Sequence, residues 1–254
     1  MAISEVKGKG ITIMHSRLLE SGLNVRFGMS TRLGGVSPQP WGMNLSFRVG
    51  DDEENVLRNR NLFFGSLGIG QDHLAIPSQV HGNRVRTVTC AGEYENCDAL
   101  ITNVPDLFLC VSVADCVPIF LLDTKNRIVA AVHAGWRGTA DGIVRSTLSL
   151  LGKEFGTNPL DLLAYVGPSA GDCCYIVGEE VAKFFSVEFF RRENGKTFLN
   201  LKAANASQLE EFGIPSSRIE VSPHCTISES HLFHSYRRDG QQSGRMMGVI
   251  GLLS

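Results

Sequence analysis

The chain has 254 residues, of which 43% are apolar and 20% charged, enough to bury a substantial core. A formal net charge of -2 gives no basic field for a polyphosphate backbone, which argues against nucleic acid as a partner. The longest apolar stretch, Leu107 to Leu122, carries Asp115 and Pro118 and is too short and too polar to span a bilayer, so no membrane role is expected.

No linker, charge block or repeat divides the sequence, and residues 1–254 are expected to form one domain. The first ten residues carry Glu and Lys without an apolar run, so no export signal is visible. Ile11 to Met14 and Leu23 to Met29 read as strands, followed by a turn at Gly34-Gly35. Asp51, Asp52, Glu53 and Glu54 place negative charge where a helix begins; Val56, Leu57, Phe63, Phe64 and Leu67 fill its apolar positions and Gly68 ends it. Leu107 to Val113 and Ile119 to Leu122 are expected strands broken by the Ala114–Pro118 turn, and Ile128 to Val132 is another that runs into His133. A helix is expected from near Thr139, with Ile143, Val144, Thr147, Leu148 and Leu151 on one face. Helices over Glu179 to Phe190 and Lys202 to Phe212, the latter closed by Gly213 and Pro215, and a terminal strand over Met246 to Leu252 complete the expected elements. Strands and helices mix without strict alternation, which predicts an α+β fold of mixed sheets covered by helices.

Seven cysteines, an odd number, read as reduced thiols in the cytosol, so the protein is expected to be cytoplasmic. Most read as inert core residues, Cys173-Cys174 among them. No CxxC pair occurs, which excludes zinc-ribbon and thioredoxin chemistry. Three segments, Gln79-Val80-His81-Gly82, Ala114-Asp115-Cys116 and Val132-His133-Ala134-Gly135, each put an imidazole or thiol at the end of an apolar run, where distant segments converge on a cleft. Two imidazoles and a thiolate suit zinc, and three ligands leave a position for water or substrate. Separations of 35 and 17 residues match no local zinc signature, so spacing alone favours two half-buried histidines and a core cysteine. His15, His73, His224 and His231 have no convergent partners in the sequence.

The Gly135-Trp136-Arg137-Gly138 loop joins a strand to a helix start. There, free N–H groups and Arg137 suit an anion such as phosphate; an ordinary tight turn is the equal alternative. In Phe233–Gly240, the adjacent Arg237 and Arg238 are expected to point opposite ways, one toward substrate and one into solvent, unless the segment is simply a surface turn with an Arg–Asp pair.

Seven blocks occur in order: Thr31-Arg32-Leu33-Gly34-Gly35-Val36-Ser37; Asn44-Leu45 with Val49-Gly50-Asp51-Asp52; Gln79-Val80-His81-Gly82; Asp98-Ala99-Leu100-Ile101-Thr102; Ala114-Asp115-Cys116-Val117-Pro118; His133-Ala134-Gly135-Trp136-Arg137-Gly138; and Ser235-Tyr236-Arg237-Arg238. Together they resemble the laccase-domain family, also called the YfiH or polyphenol-oxidase-like family, over nearly the whole chain. The resemblance implies a YfiH-like fold and purine nucleoside chemistry around one metal. That chemistry is phosphorolysis of adenosine, inosine and S-methyl-5′-thioadenosine to free base and (methylthio)ribose 1-phosphate, together with deamination of adenosine. It places the catalytic and metal-ligating roles on His81, Cys116 and His133, with zinc as the metal and copper possible at the same site. Arg137, Arg237 and Asn44 become the expected substrate-binding residues, purine nucleosides and phosphate the partners, and a monomer or small homo-oligomer the assembly. Asp115, beside Cys116, is expected to orient the metal's surroundings.

The family commonly has Cys-Tyr-Glu-Val-Gly where this chain has Cys174-Tyr175-Ile176-Val177-Gly178, and often Asp-Leu where Asn200-Leu201 stands. Both changes remove a carboxylate, so no acid role carries over to those positions. Two rival chemistries stay open on the sequence. A copper polyphenol oxidase would need many histidines, and the chain has seven with no His-x-His pair. A cysteine hydrolase would use Cys116 as nucleophile with His133 or His81 as base. For a metal-storage module nothing beyond the ligands argues.

Overall fold

The strands gather into three sheets in a computed structural model of the chain, in which residues 2–6 (backbone), 10–21 and 24–254 are described. The first sheet runs Ala2–Val6, Ile11–His15, Val25–Ser30, Met246–Leu252, Phe108–Val113, Leu74–Ser78, Gly92–Glu95. The second runs Ile219–Val221, Leu162–Val166, Val117–Asp123, Ile128–Ala134, Ala99–Thr102, Val85–Thr87. Ile176–Val177, Lys196–Leu199 and Phe190–Glu193 form a small third sheet. Parallel and antiparallel pairs coexist in both large sheets, as the α+β expectation requires.

The period of two along each strand sorts the core into layers. In the second sheet, Val117, Ile119 and Leu121 pack outward with Ala130, Val132 and Val144, under the helices Ile143–Phe155 and Leu201–Glu211. The intervening Phe120, Leu122, Val129 and Ala131 face the first sheet and meet its Leu109, Val111 and Ile250. On the first sheet's far side Phe108, Cys110 and Val249 pack under the helix Glu53–Ser66 through Phe63 and Phe64. The result is helix, sheet, sheet, helix. Both central strands are buried on both faces, which is why their sequences are continuous apolar runs.

The helix expected at the acidic Asp51–Glu54 run is present, with the Asp52 carboxylate accepting from the Asn55 amide at 3.1 Å. Leu57 is a correction: it is 46% exposed, and Asn59 occupies the buried stripe instead. The Asn59 amide group donates to Ser37, Gly42 and Asn44 and accepts from Val36, tying the 36–44 loop to this helix. The helix expected from Thr139 is two helices, Trp136–Ala140 and Ile143–Phe155, separated by Gly142 in the left-handed region at φ 78°. Its predicted apolar face is buried throughout. Leu23, the start of one expected strand, lies outside the described residues.

Glu179 to Phe190 is not one helix. A single turn over Glu179–Ala182 gives way to a 3-10 turn and then to the strand Phe190–Glu193. That strand pairs with Lys196–Leu199 across the two-residue turn Asn194-Gly195, both at positive φ (49° and 70°). Asn-Gly is the strongest short hairpin signal, and it draws the end of the expected helix into a strand. Asn200, where a family carboxylate often stands, caps the helix Leu201–Glu211 by accepting from the Ala203 amide at 3.0 Å. An amide oxygen performs that task as well as a carboxylate. No helix among the described residues is long and apolar enough to cross a membrane.

Phe120 joins the two sheets: its ring stands edge-on to Phe27 at 5.0 Å, and a Cβ at Gly248 would lie 2.4 Å from its Cζ. Phe120→Ala is expected to cost about 3–5 kcal/mol in urea unfolding. A loss below about 1 kcal/mol, the typical effect of an average substitution, would contradict this packing account.

Candidate metal centre and active-site cavity

His133 ends the strand Ile128–Ala134, and Cys116 immediately precedes its antiparallel neighbour Val117–Asp123. The register pairs His133 with Pro118 and Ala134 with Val117, so Cys116 falls beside Gly135. A Cβ at Gly135 would lie 3.1 Å from the Cys116 Sγ and 3.0 Å from the His81 ring. Any side chain at Gly135 would push on both donors. Gly138 serves the same purpose a helical turn later, where a Cβ would lie 2.7 Å from the Gly82 carbonyl oxygen. The two glycines of the His-Ala-Gly-Trp-Arg-Gly block thus let the His81 loop close over the strand end.

The ligand atoms of His81, Cys116 and His133 lie within 4.8 Å of one another, with the two imidazole rings 4.8 Å apart and nearly perpendicular. His133 is buried, Cys116 half-buried and His81 exposed, so the group is shielded on one side and accessible on the other. Burial alone would push the Cys116 thiol up. The adjacent His133, by charge and hydrogen bond, and then His81 outweigh burial and bring it down to about 6. Burial likewise opposes a charged His133, but the Cys116 charge and the Asp98 carboxylate raise it to about 9. Each group thus favours the charged form of the other, the Cys116 sulfur toward thiolate and the His133 ring toward imidazolium.

Asp98, fully buried, is the residue that sequence reasoning missed. Its Oδ1 accepts from His133 Nδ1 at 2.8 Å and from the His81 backbone amide at 2.9 Å. Its Oδ2 accepts from the Gly82 amide at 2.9 Å and the Val80 amide at 3.2 Å. One carboxylate thus orients the His133 ring, leaving Nε2 for the centre, and holds the backbone of the His81 loop. These bonds offset its burial and hold its pKa below the ordinary range. His81 sits at φ 61°, a left-handed conformation that costs a non-glycine residue about 1–3 kcal/mol. Gln79 braces the same loop by exchanging two 2.8 Å hydrogen bonds with the Ser112 backbone.

The three donors open into a cavity of about 830 Å³. Its walls carry Arg48, Arg60, Arg137, Arg237 and Arg245 against only Glu93 and Asp115, a positive site in a chain of net charge -2. Phe47, Trp136, Tyr175 and Tyr236 give it aromatic surface. Arg137 lies over the Trp136 ring at 4.5 Å and Arg237 over the Tyr175 ring at 5.1 Å, contacts that restrain both guanidinium groups at the cavity wall. The helix after Gly135 spans only Trp136–Ala140, so its dipole is small and anion attraction at this loop rests on Arg137.

Three expectations are corrected. Asn44 is buried, its amide nitrogen donating to the Ser46 carbonyl and Asp51 and its oxygen accepting from the Ser46 and Arg245 amides. No polar atom remains for a ligand; Asn44 positions Ser46 and Arg245, which do line the cavity. Asp115 does not touch the imidazoles. At φ 88° it accepts from the Thr226 hydroxyl and the Arg237 amide, both at 2.6 Å, and so fastens the Arg237 segment to the cavity wall. Arg238 is not solvated: it donates to the carbonyls of Thr226, Ile227 and Phe233 and pairs with Asp239. Arg48, Arg60 and Arg245 stand singly in the sequence, and no local signal marks them.

The family model described as multi-copper polyphenol oxidoreductase laccase matches residues 26–253. The chain belongs to this family, the laccase-domain or YfiH family. A relative from Bacteroides thetaiotaomicron named purine nucleoside phosphorylase is 37% identical over 251 residues, covering 91% of this chain and 93% of the relative. A protein of an unknown prokaryotic organism, named adenosine deaminase RL5, is 35% identical over 80% of this chain and 84% of its own. The crystal structure of YlmD from Geobacillus stearothermophilus superposes with a TM-score of 0.91 at 32% identity, covering 98% of both chains.

Asp98→Asn replaces an acceptor of four hydrogen bonds with a group that has one acceptor oxygen. Metal affinity measured by chelator competition is expected to fall roughly 10–100-fold; unchanged affinity would remove Asp98 from the centre. In metal-stripped protein, alkylation of Cys116 followed by peptide mapping is expected to rise with pH through about 6 and then level off. A rate still climbing toward pH 9 would show an ordinary thiol.

Proposed function

We propose that the chain is a zinc-dependent purine nucleoside phosphorylase that also deaminates adenosine. The observation that carries this is the convergence of two imidazoles and one thiolate on a cavity whose walls carry five arginines. The donor set fits zinc: two borderline nitrogens and one soft sulfur, gathered in a space that Gly135 keeps clear, with an exposed side toward the cavity. Held by His81, Cys116 and His133, zinc would supply Lewis-acid polarisation and activation of water.

The chain's own groups account for binding and orientation. A cavity of this size accommodates a purine nucleoside together with phosphate. Arg137 and Arg237 hold phosphate by charge-assisted hydrogen bonds, and the aromatic wall stacks the purine. In phosphorolysis a phosphate oxygen bonds C1′ as the C1′–N9 bond breaks. The bonding pair leaves with the purine, which takes up a proton, giving free base and ribose 1-phosphate. Adenosine, inosine and S-methyl-5′-thioadenosine share that glycosidic bond. In deamination, water replaces the C6 amino group of adenosine and ammonia leaves; the relative named adenosine deaminase supports this second activity.

Divalent copper binds nitrogen and sulfur donors more tightly than zinc and would take the same three donors where it is available. A multicopper oxidase needs further histidine-rich centres. The other donor group among the described residues, Cys173, Cys174 and Cys225, contains no histidine. The low thiol pKa of Cys116 keeps a cysteine-hydrolase chemistry in view, and substitution separates the two. Cys116→Ser is expected to lose metal and activity together, and Cys116→Asp to keep some of both. A covalent adduct on Cys116 during turnover would favour the hydrolase.

Release of hypoxanthine from inosine is expected to require phosphate and to yield ribose 1-phosphate; equal turnover in phosphate-free buffer would mean hydrolysis. Arg137→Ala or Arg237→Ala is expected to raise the phosphate KM roughly 10–100-fold, the equivalent of one charge-assisted hydrogen bond, and to change the nucleoside KM less.

A further inference from the structure

Outside the cavity, one other cluster of metal-ligating side chains stands out among the described residues. The sulfurs of Cys173, Cys174 and Cys225 lie within 4.8 Å of one another, and no histidine or carboxylate joins them. Two separate segments bring them together. Cys173 and Cys174 belong to a turn in which the amides of Cys174 and Tyr175 both donate to the Gly171 carbonyl, at 3.0 and 2.8 Å. Cys225 is bridged to Ser169, the Thr226 amide donates to the Ser169 carbonyl, and the Gly171 amide donates to the Cys225 sulfur at 3.2 Å. The backbone therefore fixes the sulfurs' positions on both sides.

Gly171 is what makes room for them. A Cβ there would lie 3.3 Å from the Cys225 Sγ and 3.4 Å from the Cys173 Sγ, so any larger residue would crowd two of the three sulfurs. Cys225 is buried, Cys174 half-buried and Cys173 exposed, which gives a shielded seat with one accessible side. That side opens on a second cavity of about 670 Å³, distinct from the one holding His81 and lined also by Lys202. The Lys202 ammonium is held by the carbonyls of Ser222 and His224 at 2.9 and 2.7 Å.

We infer that Cys173, Cys174 and Cys225 form a second metal site, which takes a soft monovalent ion, Cu(I). The donor chemistry decides the metal. Thiolates select soft ions, whereas structural zinc almost always completes a tetrahedron, and no His, Cys or carboxylate ligand atom among the described residues lies within 4.8 Å of all three sulfurs as a fourth donor. Three sulfurs suit a three-coordinate Cu(I). On binding, the thiols give up their protons to solvent and no electron is transferred. Three thiolates and one monovalent cation leave a net negative site, and the wall of this cavity sets the fixed Lys202 ammonium against the carboxylates of Asp172 and Glu210. The inference is independent of the reaction at the His81 centre.

The test uses the full chain, reduced and anaerobic, loaded first with zinc and then titrated with Cu(I) against a chromogenic Cu(I) chelator. Metals are counted by native mass spectrometry. Wild type is expected to bind one Cu(I) with sulfur-only coordination by X-ray absorption. Cys173→Ser, at an exposed position, is expected to weaken it at least the roughly 10–100-fold that partners of metal ligands are worth, and Gly171→Ala to weaken it in the same direction by less. Zinc content and nucleoside turnover should stay unchanged. The inference is overturned if Cys173→Ser binds Cu(I) as wild type does, if the reduced wild type takes none, if these thiols take zinc in preference, or if they form a disulfide that excludes copper.

Discussion

The buried carboxylate of Asp98 is the interaction on which the candidate centre depends. A carboxylate removed from water costs several kcal/mol unless its oxygens are satisfied, and Asp98 accepts four hydrogen bonds. Three come from consecutive amides of the loop that carries His81, and the fourth from His133. The loop amides and the imidazole satisfy the charge; the charge in turn fixes a left-handed residue and a ring orientation that neither segment would hold alone. The Asp98 backbone carbonyl adds a 2.7 Å bond from the His133 amide, so strand pairing and side-chain placement are set together.

Around that hub the two stacked sheets act as a frame. Strand ends are rigid where they leave the sheet, and antiparallel register places Cys116 beside Gly135 without any local sequence signature. A second hub, Asp115, does for the cavity wall what Asp98 does for the donors, joining Thr226 and the Arg237 segment from the far end of the chain. The arginines then reach the cavity from separate regions of the sequence, so a slightly acidic protein presents a positive pocket. The same walls offer both positive charge and aromatic surface.

Much of the fold was legible because burial on both faces leaves a mark in composition. Val117–Asp123 and Ile128–Ala134 read as apolar runs, and Ile143, Val144, Thr147, Leu148 and Leu151 as one helical face. The stretch from Glu179 to Phe190 reads as one helix in the sequence, but the Asn194-Gly195 turn just beyond it, whose positive φ angles commit the chain to a hairpin, makes its end a strand. The convergence of His81, Cys116 and His133 depends on register and on two glycines, quantities that spacing does not encode; the ordered family blocks pointed to the trio, and the structure brings the three side chains together. Asp98 was visible within a block but not as a hub, since its partners are mostly backbone amides. Asn44 illustrates the converse: a polar residue within a family block whose side-chain hydrogen bonds all go to its neighbours, which it positions.

The central claim is that the Asp98-braced trio is a zinc site, and metal content tests it most directly. Elemental analysis of protein purified anaerobically without added metal is predicted to give about one zinc per chain, lost on replacing His81 or His133. Copper in place of zinc at those residues, or full nucleoside turnover by a preparation with no metal there, would contradict the account.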